Sequence, residues 1–172
     1  MKWASAISET TSLDGAIEEC VTQIKKQLDD VPPELAVIFV SSHYESEYDQ
    51  AVEMVREKLG SPRVFGCSGG GIIGAGREVE HSPGFALATA QLPEVSLHPF
   101  HVEDSSLPDG DAPPDEWEAL IGASIADDPV LLLLADPFSI RGEDLLAGLD
   151  YAFPRSIKVG GLASGGNQAG SN

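Results

Sequence analysis

The spacing of apolar residues predicts strands and a helix in the first 40 residues of the chain. A short apolar segment from Trp3 to Ile7 is typical of a strand. Apolar residues then recur every three or four positions from Leu13 to Leu28, which is the period of one helix face. Thr11 or Ser12 offers the side-chain oxygen that would cap this helix. The continuous apolar run from Leu35 to Val40 predicts a strand covered on both faces.

The middle of the chain changes from alternating strands and helices to consecutive strands. Residues 51–59 predict a second helix, and residues 63–67 predict a strand that runs into the glycine cluster 69–71. Two strand-like segments, 84–90 and 95–102, then follow each other without a helix between them. Prolines and glycines supply turns around these segments, so we expect them to pair as antiparallel strands.

The last third of the chain returns to strands separated by helices. Residues 105–114 contain three prolines and two aspartates and predict a solvated loop. We expect a helix from Asp115 to Ile125, with Asp115 as its cap. A buried strand at 130–134, a helix at 143–153 and a strand at 157–161 complete the pattern.

An internal repeat links the two regions in which strands and helices alternate. The segment from Leu35 to Gly66 aligns without gaps on the segment from Pro129 to Gly160, at a constant offset of 94 residues. Each copy reads as strand, helix, strand and glycine turn, and such a connection is parallel and right-handed. The sequence therefore predicts a mixed α/β fold, in which a mixed sheet is built from two repeated β-α-β units with an inserted antiparallel strand pair.

The ends of these strands carry most of the polar and glycine residues that could bind a ligand. Ligands of parallel sheets bind outside the carboxyl ends of the strands, and close-packed glycines leave backbone amides available as donors. Arg77 is a candidate counter-charge for an anionic ligand, as is Arg141, and a surface salt bridge is the alternative for both. The candidate ligand-binding residues are Ser41, Ser42, His43, Gly66, Cys67, Ser68, Gly69, Gly70, Arg77, Asp136, Phe138, Gly160, Gly161 and Ser164.

Two motifs in the glycine-rich segment suggest chemistry that their surroundings do not favour. Residues 66–70 match the G-x-S-x-G pattern of hydrolases, which needs a helix directly after the serine. Residues 69–74 match the dinucleotide-binding pattern G-x-G-x-x-G, which also needs a helix. The glycines that follow make a poor helix, so we expect no catalytic residue and no nucleotide cofactor. A hydrolase that uses Ser68 or Cys67 remains an alternative hypothesis.

The balance of acidic and basic residues limits the classes of partner that the chain is expected to bind. The 172 residues include 28 acidic and 10 basic side chains, which gives a formal net charge of −18. Such a charge repels phosphate backbones and anionic lipid surfaces, so we expect no nucleic-acid partner and no membrane partner.

Histidine and cysteine usage favours neither a metal site nor a disulfide framework. His98 and His101 lie three apart on a predicted strand and would face opposite sides, so we expect no metal. Cys20 and Cys67 are the only cysteines. The first residues lack the apolar stretch of a secretory signal, and the run 130–135, which no other apolar run exceeds, is far below the roughly 20 residues that span a bilayer. We therefore expect a cytoplasmic location.

With these segments in hand, the chain resembles the N-terminal part of the FIST domain family. The resemblance is carried by an ordered set of segments: residues 39–43, 64–74, 76–80, 135–138 and 159–164. It implies an intracellular sensory module of signal transduction, without established catalytic residues, that is proposed to bind a small ligand such as an amino acid. The family also occurs within F-box proteins. Its members usually continue into a C-terminal FIST half, which the resemblance therefore implies as a partner, alongside signalling partners.

The resemblance also sets the expected domain organisation and the alternatives to ligand sensing. We expect a FIST N-terminal-like domain over residues 1–166, with residues 167–172 as a tail or as the start of a missing C-terminal half. Besides the hydrolase, a protein-interaction scaffold that pairs with a C-terminal FIST domain is an open hypothesis.

Overall fold

In the computed structural model, which describes all 172 residues, the chain forms two compact units. The first unit comprises Met1–Val95 together with Ser164–Asn167 and Ser171–Asn172. The second comprises Ser96–Ala163 together with Gln168–Gly170. The final residues of the chain therefore divide between the two units.

The first unit contains six strands and two α-helices. In chain order its elements are β1 (Lys2–Ser8), α1 (Leu13–Gln27), β2 (Leu35–Ser41), α2 (Tyr48–Leu59), β3 (Arg63–Gly69), β4 (Gly71–Gly74), β5 (Arg77–Glu80) and β6 (Phe85–Gln91). Ser12, one of the two caps that the sequence predicts, caps α1 by accepting a hydrogen bond from the Gly15 amide. Gly60 ends α2 in the left-handed conformation, with φ of 81°.

A mixed four-stranded sheet forms the centre of the first unit. Its strand order is β1-β6-β2-β3, with β6 antiparallel to both of its neighbours. Strands β2 and β3 are parallel and are connected through α2, as predicted from the first copy of the repeat. The buried face of α1, including Leu13, Ile17 and Ile24, belongs to the same hydrophobic core as Phe85 and Leu87 of β6. The parallel pairing of β2 and β3 places their carboxyl ends side by side.

A hairpin, rather than a helix, follows β3. Strands β4 and β5 pair antiparallel, with Gly74 opposite Arg77. The two residues between them, Ala75 and Gly76, have φ of 47° and 75°. Positive φ at both central residues is the geometry that closes a tight two-residue hairpin. The absence of a helix after Ser68 agrees with the sequence analysis.

The second unit contains the second β-α-β copy. Its elements are α3 (Pro114–Ile121), β7 (Leu131–Ala135), α4 (Gly142–Ala152) and β8 (Lys158–Leu162). Strands β7 and β8 are parallel and form a separate two-stranded sheet. The core of this unit gathers buried side chains of both helices and of β7, with Trp117 and Leu149 almost fully enclosed. None of the helices in the chain is long and apolar enough to cross a membrane.

The structure confirms the mixed α/β fold class and both copies of the repeat, but the second copy forms its own two-stranded sheet and is not part of the mixed sheet. An offset of 94 residues carries α2 onto 142–153, within one residue of the observed α4. The same offset carries β2 and β3 onto segments that contain β7 and β8. The repeated pattern of apolar residues therefore reflects two copies of the same supersecondary unit.

Two local predictions were wrong. Residues 95–102 form no strand, because β6 already has β1 and β2 on its two edges and Pro99 interrupts this segment. The helix predicted from Asp115 to Ile125 begins at Pro114, with Pro113 as its cap, and ends at Ile121. Gly122 adopts φ of 73° and stops it.

Candidate functional site

The carboxyl ends of β2 and β3 place several candidate residues side by side in the first unit. Ser41 is in register with Gly69, and Val40 is in register with Ser68. The side chain of Ser68 is buried, with 4% of its surface exposed. A buried hydroxyl at this edge of a parallel pair lies where ligands of such sheets bind.

Residues 164–166 run along the end of β3. The Ser164 amide donates a hydrogen bond to the Ser68 carbonyl at 3.3 Å, and the Gly70 amide donates to the Ser164 hydroxyl at 3.1 Å. Gly165 has no room for a side chain, since a Cβ there would lie 2.5 Å from Ser68 Oγ. The segment therefore approaches β3 as closely as only a glycine allows.

The Asn172 side chain lies within the same cluster. Its Oδ1 atom accepts a hydrogen bond from the Ser68 hydroxyl at 2.9 Å. The same oxygen accepts a second one from the Gly166 amide at 2.8 Å. Two neutral donors from separate parts of the chain thus converge on one carboxamide oxygen.

Tyr48, the first residue of α2, brings a further hydroxyl to this cluster. Its Oη atom is buried and has no hydrogen-bond partner. Burial raises the pKa of the Tyr48 phenol, and the nearby Ser68 hydroxyl opposes that rise. The two hydroxyls are therefore neighbours, although their geometry falls short of a hydrogen bond.

The two cysteines are in surroundings that disfavour the reactive thiolate. Cys67 on β3 is half-buried, and burial raises its pKa. Cys20 is fully buried in α1, where burial raises its pKa to about 12. A nucleophilic cysteine needs the opposite shift. Ser68 likewise precedes β4 instead of the helix that a nucleophile elbow requires.

Of four other candidate residues of the first unit, two make hydrogen bonds within the unit and two are exposed. The Ser41 hydroxyl is buried and accepts a hydrogen bond from the Gly84 amide at 2.9 Å. Ser42 and His43 are exposed on a short 3₁₀ helix, Ser42–Glu47. Arg77 donates to Glu9 Oε1 and to the Ile7 carbonyl, both at 3.2 Å. Arg77 thus forms a salt bridge with Glu9, which is the alternative to its role as a counter-charge for a ligand.

Gly66 of the first unit and Gly160 of the second have the same structural reason to be glycine. A Cβ on Gly66 would overlap the carbonyl oxygen of Ile38 on β2. A Cβ on Gly160 would overlap the carbonyl oxygen of Leu133 on β7. Both glycines therefore permit close approach of neighbouring strands, whereas Gly161 has open space around it.

The polar candidates of the second unit lie at the end of β7. The Asp136 carboxylate accepts hydrogen bonds from the Phe138 and Gly170 amides, each at 2.9 Å, and from the Ser139 hydroxyl. The Phe138 side chain is 53% exposed. Arg141 is paired with Asp104 and Asp144. Asp136 therefore organises the turn that follows β7.

Sequence reasoning found part of the cluster at β3 and missed the rest. The structure joins Ser68, Gly70 and Ser164 by hydrogen bonds, as their shared position at strand ends suggested. Tyr48 and Asn172 carried no sequence signal, because their position depends on tertiary folding. The ligand-binding role of all the candidates stays a prediction.

No group of three or more His, Cys, Asp or Glu side chains comes together in a metal-binding arrangement.

The comparisons with known proteins identify one family. A family model described as the FIST N domain matches residues 34–172. The chain is also 28% identical, over 176 aligned residues, to an uncharacterized protein of Mycobacterium tuberculosis strain CDC 1551 / Oshkosh and to one of strain ATCC 25618 / H37Rv. These alignments cover 99% of this chain and 43% of each relative. No solved structure matches the chain.

Proposed function

The chain belongs to the FIST N domain family, and on that premise we propose that it is a sensory module that binds a small ligand, such as an amino acid, without catalysing a reaction. The family suggests a role in sensing or signal transduction. The ligand itself, the non-enzymatic character and a cytoplasmic location are part of the proposal.

The polar cluster at the end of β3, which is buried at Ser68 and exposed at Gly70 and Ser164, is the observation that carries this proposal. Ser68 and the Tyr48 hydroxyl are buried there, and the backbone amides of Gly70 and Gly166 point at side-chain oxygens. Buried polar groups without a partner are rare in proteins, and a bound ligand or water is one of their common explanations. Hydroxyl and amide donors of this kind suit the carboxylate, amide or hydroxyl groups of a small metabolite.

A metabolite panel tests ligand binding. We expect at least one amino acid or related metabolite to raise the thermal transition of the 172-residue chain, since a ligand at 100 times its Kd adds about 2.7 kcal/mol to stability. Ser68→Ala should reduce this shift, because it removes a hydroxyl from the cluster. Ser106→Ala, in the second unit, is the matched control and should leave the shift unchanged.

Two results would count against this proposal. The first is a broad panel, including all the common amino acids, that leaves the transition of the chain unchanged. The second is covalent labelling of Ser68 by a fluorophosphonate, which would favour the hydrolase hypothesis. The raised pKa of Cys67 and the hairpin after Ser68 both support the non-enzymatic proposal over the hydrolase hypothesis.

A protein-interaction role is a second candidate function, and an exposed apolar face of the β7-β8 sheet favours it. Leu132 and Val159 are register partners on this face and are 39% and 55% exposed. Parallel sheets are normally covered on both faces. Because the chain spans 43% of the length of its relatives, we propose that a C-terminal FIST domain covers this face.

A charge placed on this face tests the interaction. We expect Val159→Asp to weaken binding of a separately produced C-terminal FIST domain about tenfold, the equivalent of roughly 1.4 kcal/mol, since it puts a carboxylate into an apolar contact. Val31→Asp is the control, because Val31 is equally exposed, at 54%, and lies in the first unit. Titration calorimetry measures both. Equal affinities for the two variants would exclude this face as the contact.

A further inference from the structure

We propose that the Ser68 hydroxyl and the Gly166 amide form a subsite for a carboxamide oxygen of the small ligand, and that the Asn172 side chain occupies this subsite until the ligand displaces it. This inference rests on the proposed function, since it concerns how the same site takes its ligand. It adds to the proposed function the chemical group that the ligand presents, a carboxamide, and an internal competitor for the ligand, the Asn172 side chain.

The hydrogen bonds of Asn172 define the subsite. Its Oδ1 atom lies 2.9 Å from Ser68 Oγ and 2.8 Å from the Gly166 nitrogen. A carboxamide oxygen has two lone pairs, so one such atom can accept both bonds. Ser68 is buried, and a buried donor that loses its acceptor costs free energy. The subsite therefore favours an occupant with a carbonyl-type oxygen over none.

The charge of the surroundings selects a neutral occupant. Both donors are neutral groups, and the Glu45 carboxylate is near enough to Tyr48 to add to the rise of the Tyr48 pKa. An ionised carboxylate would have to enter this negative field and exchange its water shell for two uncharged donors. A primary amide makes the same two hydrogen bonds without that cost, as Asn172 does.

The Tyr48 hydroxyl is an independent sign that the cluster can accept more than the Asn172 side chain. Its Oη atom is buried without a partner, and Ser68 is close enough to influence its protonation. A phenol can donate or accept a hydrogen bond. A ligand that carries a second polar group beside its carboxamide would satisfy this hydroxyl as well.

The subsite can survive the departure of Asn172, because other bonds hold the Gly166 segment in place. Ser164 is bonded to the Ser68 carbonyl and to the Gly70 amide. Gly165 packs directly on Ser68. These bonds do not involve Asn172, so the residues that precede Gly166 stay on β3 when the Asn172 side chain leaves the subsite.

Acetamide, which is the isolated side-chain amide, is the probe for this subsite. We expect the Asn172→Ala chain to bind acetamide at least tenfold more tightly than the unchanged chain, because the internal competitor is gone. The readout is the ¹⁵N–¹H resonance of Gly166 during a titration. Asn167→Ala is the matched control, since Asn167 lies in the same segment and its backbone amide donates to Ser171 Oγ.

Two further arms keep the test specific. Adding Ser68→Ala to Asn172→Ala should reduce acetamide affinity, with the thermal transition measured to show that the chain stays folded. Acetate should bind more weakly than acetamide. Tighter binding of acetate would overturn the carboxamide assignment. The absence of a saturable Gly166 shift with acetamide in Asn172→Ala would overturn the subsite.

The result is separable from that of the metabolite panel. A metabolite that stabilises the unchanged chain and Asn172→Ala equally would leave the sensory proposal standing and overturn the role of Asn172. A panel without effect on either chain would remove the sensory proposal. Acetamide binding that strengthens in Asn167→Ala as much as in Asn172→Ala would also contradict the inference.

Discussion

Gly160→Ala is expected to destabilise the second unit by about 2 kcal/mol, because its methyl group would be forced against a backbone carbonyl, and overpacking of this kind typically costs 1–3 kcal/mol. A Cβ at this position would overlap the carbonyl oxygen of Leu133, its register partner on β7. The obstacle is backbone, so no side-chain rotation can relieve it. The two strands of the sheet would have to move apart and weaken their ladder.

Gly161→Ala provides the comparison for this prediction. Gly161 is the next residue of β8 and has no atom near the position of a Cβ. The Gly161→Ala substitution should be neutral or slightly stabilising, since Gly→Ala substitutions at compatible positions raise the free energy of unfolding by about 0.4–1 kcal/mol. Urea unfolding of both variants measures the difference. If Gly160→Ala were as stable as Gly161→Ala, close strand approach would not explain Gly160.

The outcome bears on what the candidate glycines are for. The sequence pairs Gly66 with Gly160 through the repeat, and strand-end glycines suit both close packing and ligand contact. The structure gives each a packing reason, since both face a neighbouring carbonyl. Gly70 and Gly165 differ, because their backbones lie against Ser164 and Ser68 within the polar cluster. Ligand contact is therefore best sought at the latter pair.

The β-α-β units could be predicted from sequence because their signals are local and repeated. Helix periodicity, apolar runs and the glycine after α2 each act within a few residues, and the second copy reinforced the first. The β4-β5 hairpin was missed, since a glycine-rich segment has little apolar pattern. The strand predicted at 95–102 was wrong because its pattern says nothing about whether a free sheet edge exists.

Only those residues of the candidate site that lie at the ends of predicted strands could be predicted from the sequence. Ligands bind at the carboxyl ends of parallel strands, and this rule points to Ser68, Gly70 and Ser164 from the sequence alone. The placement of Tyr48 and Asn172 depends on where α2 begins and on how the last residues return to β3. Neither follows from spacing along the chain, so tertiary structure was needed to find them.

Gly148→Ala is expected to have the largest effect, a loss of about 3 kcal/mol from the second unit, at the upper end of the usual overpacking cost. Gly148 is buried on α4, and a Cβ there would overlap the six-membered ring of Trp117. Trp117 is 1% exposed and packed on all sides, so its rigid ring has no free volume to enter. Either α4 or the Trp117 ring would therefore have to move from its position in the core of the second unit.

The chain offers a clean readout and two controls for this substitution. Trp3, the only other tryptophan, lies in the first unit and is 56% exposed. On a Trp3→Phe background, tryptophan emission therefore reports Trp117 alone, and urea unfolding should move to lower concentration with a red-shifted native spectrum. Gly142→Ala, at the open start of α4, should leave unfolding unchanged. Trp117→Phe should recover part of the loss, in unfolding followed by circular dichroism, because contacting residues are non-additive. A Gly148→Ala chain as stable as Gly142→Ala would contradict the packing of α3 on α4.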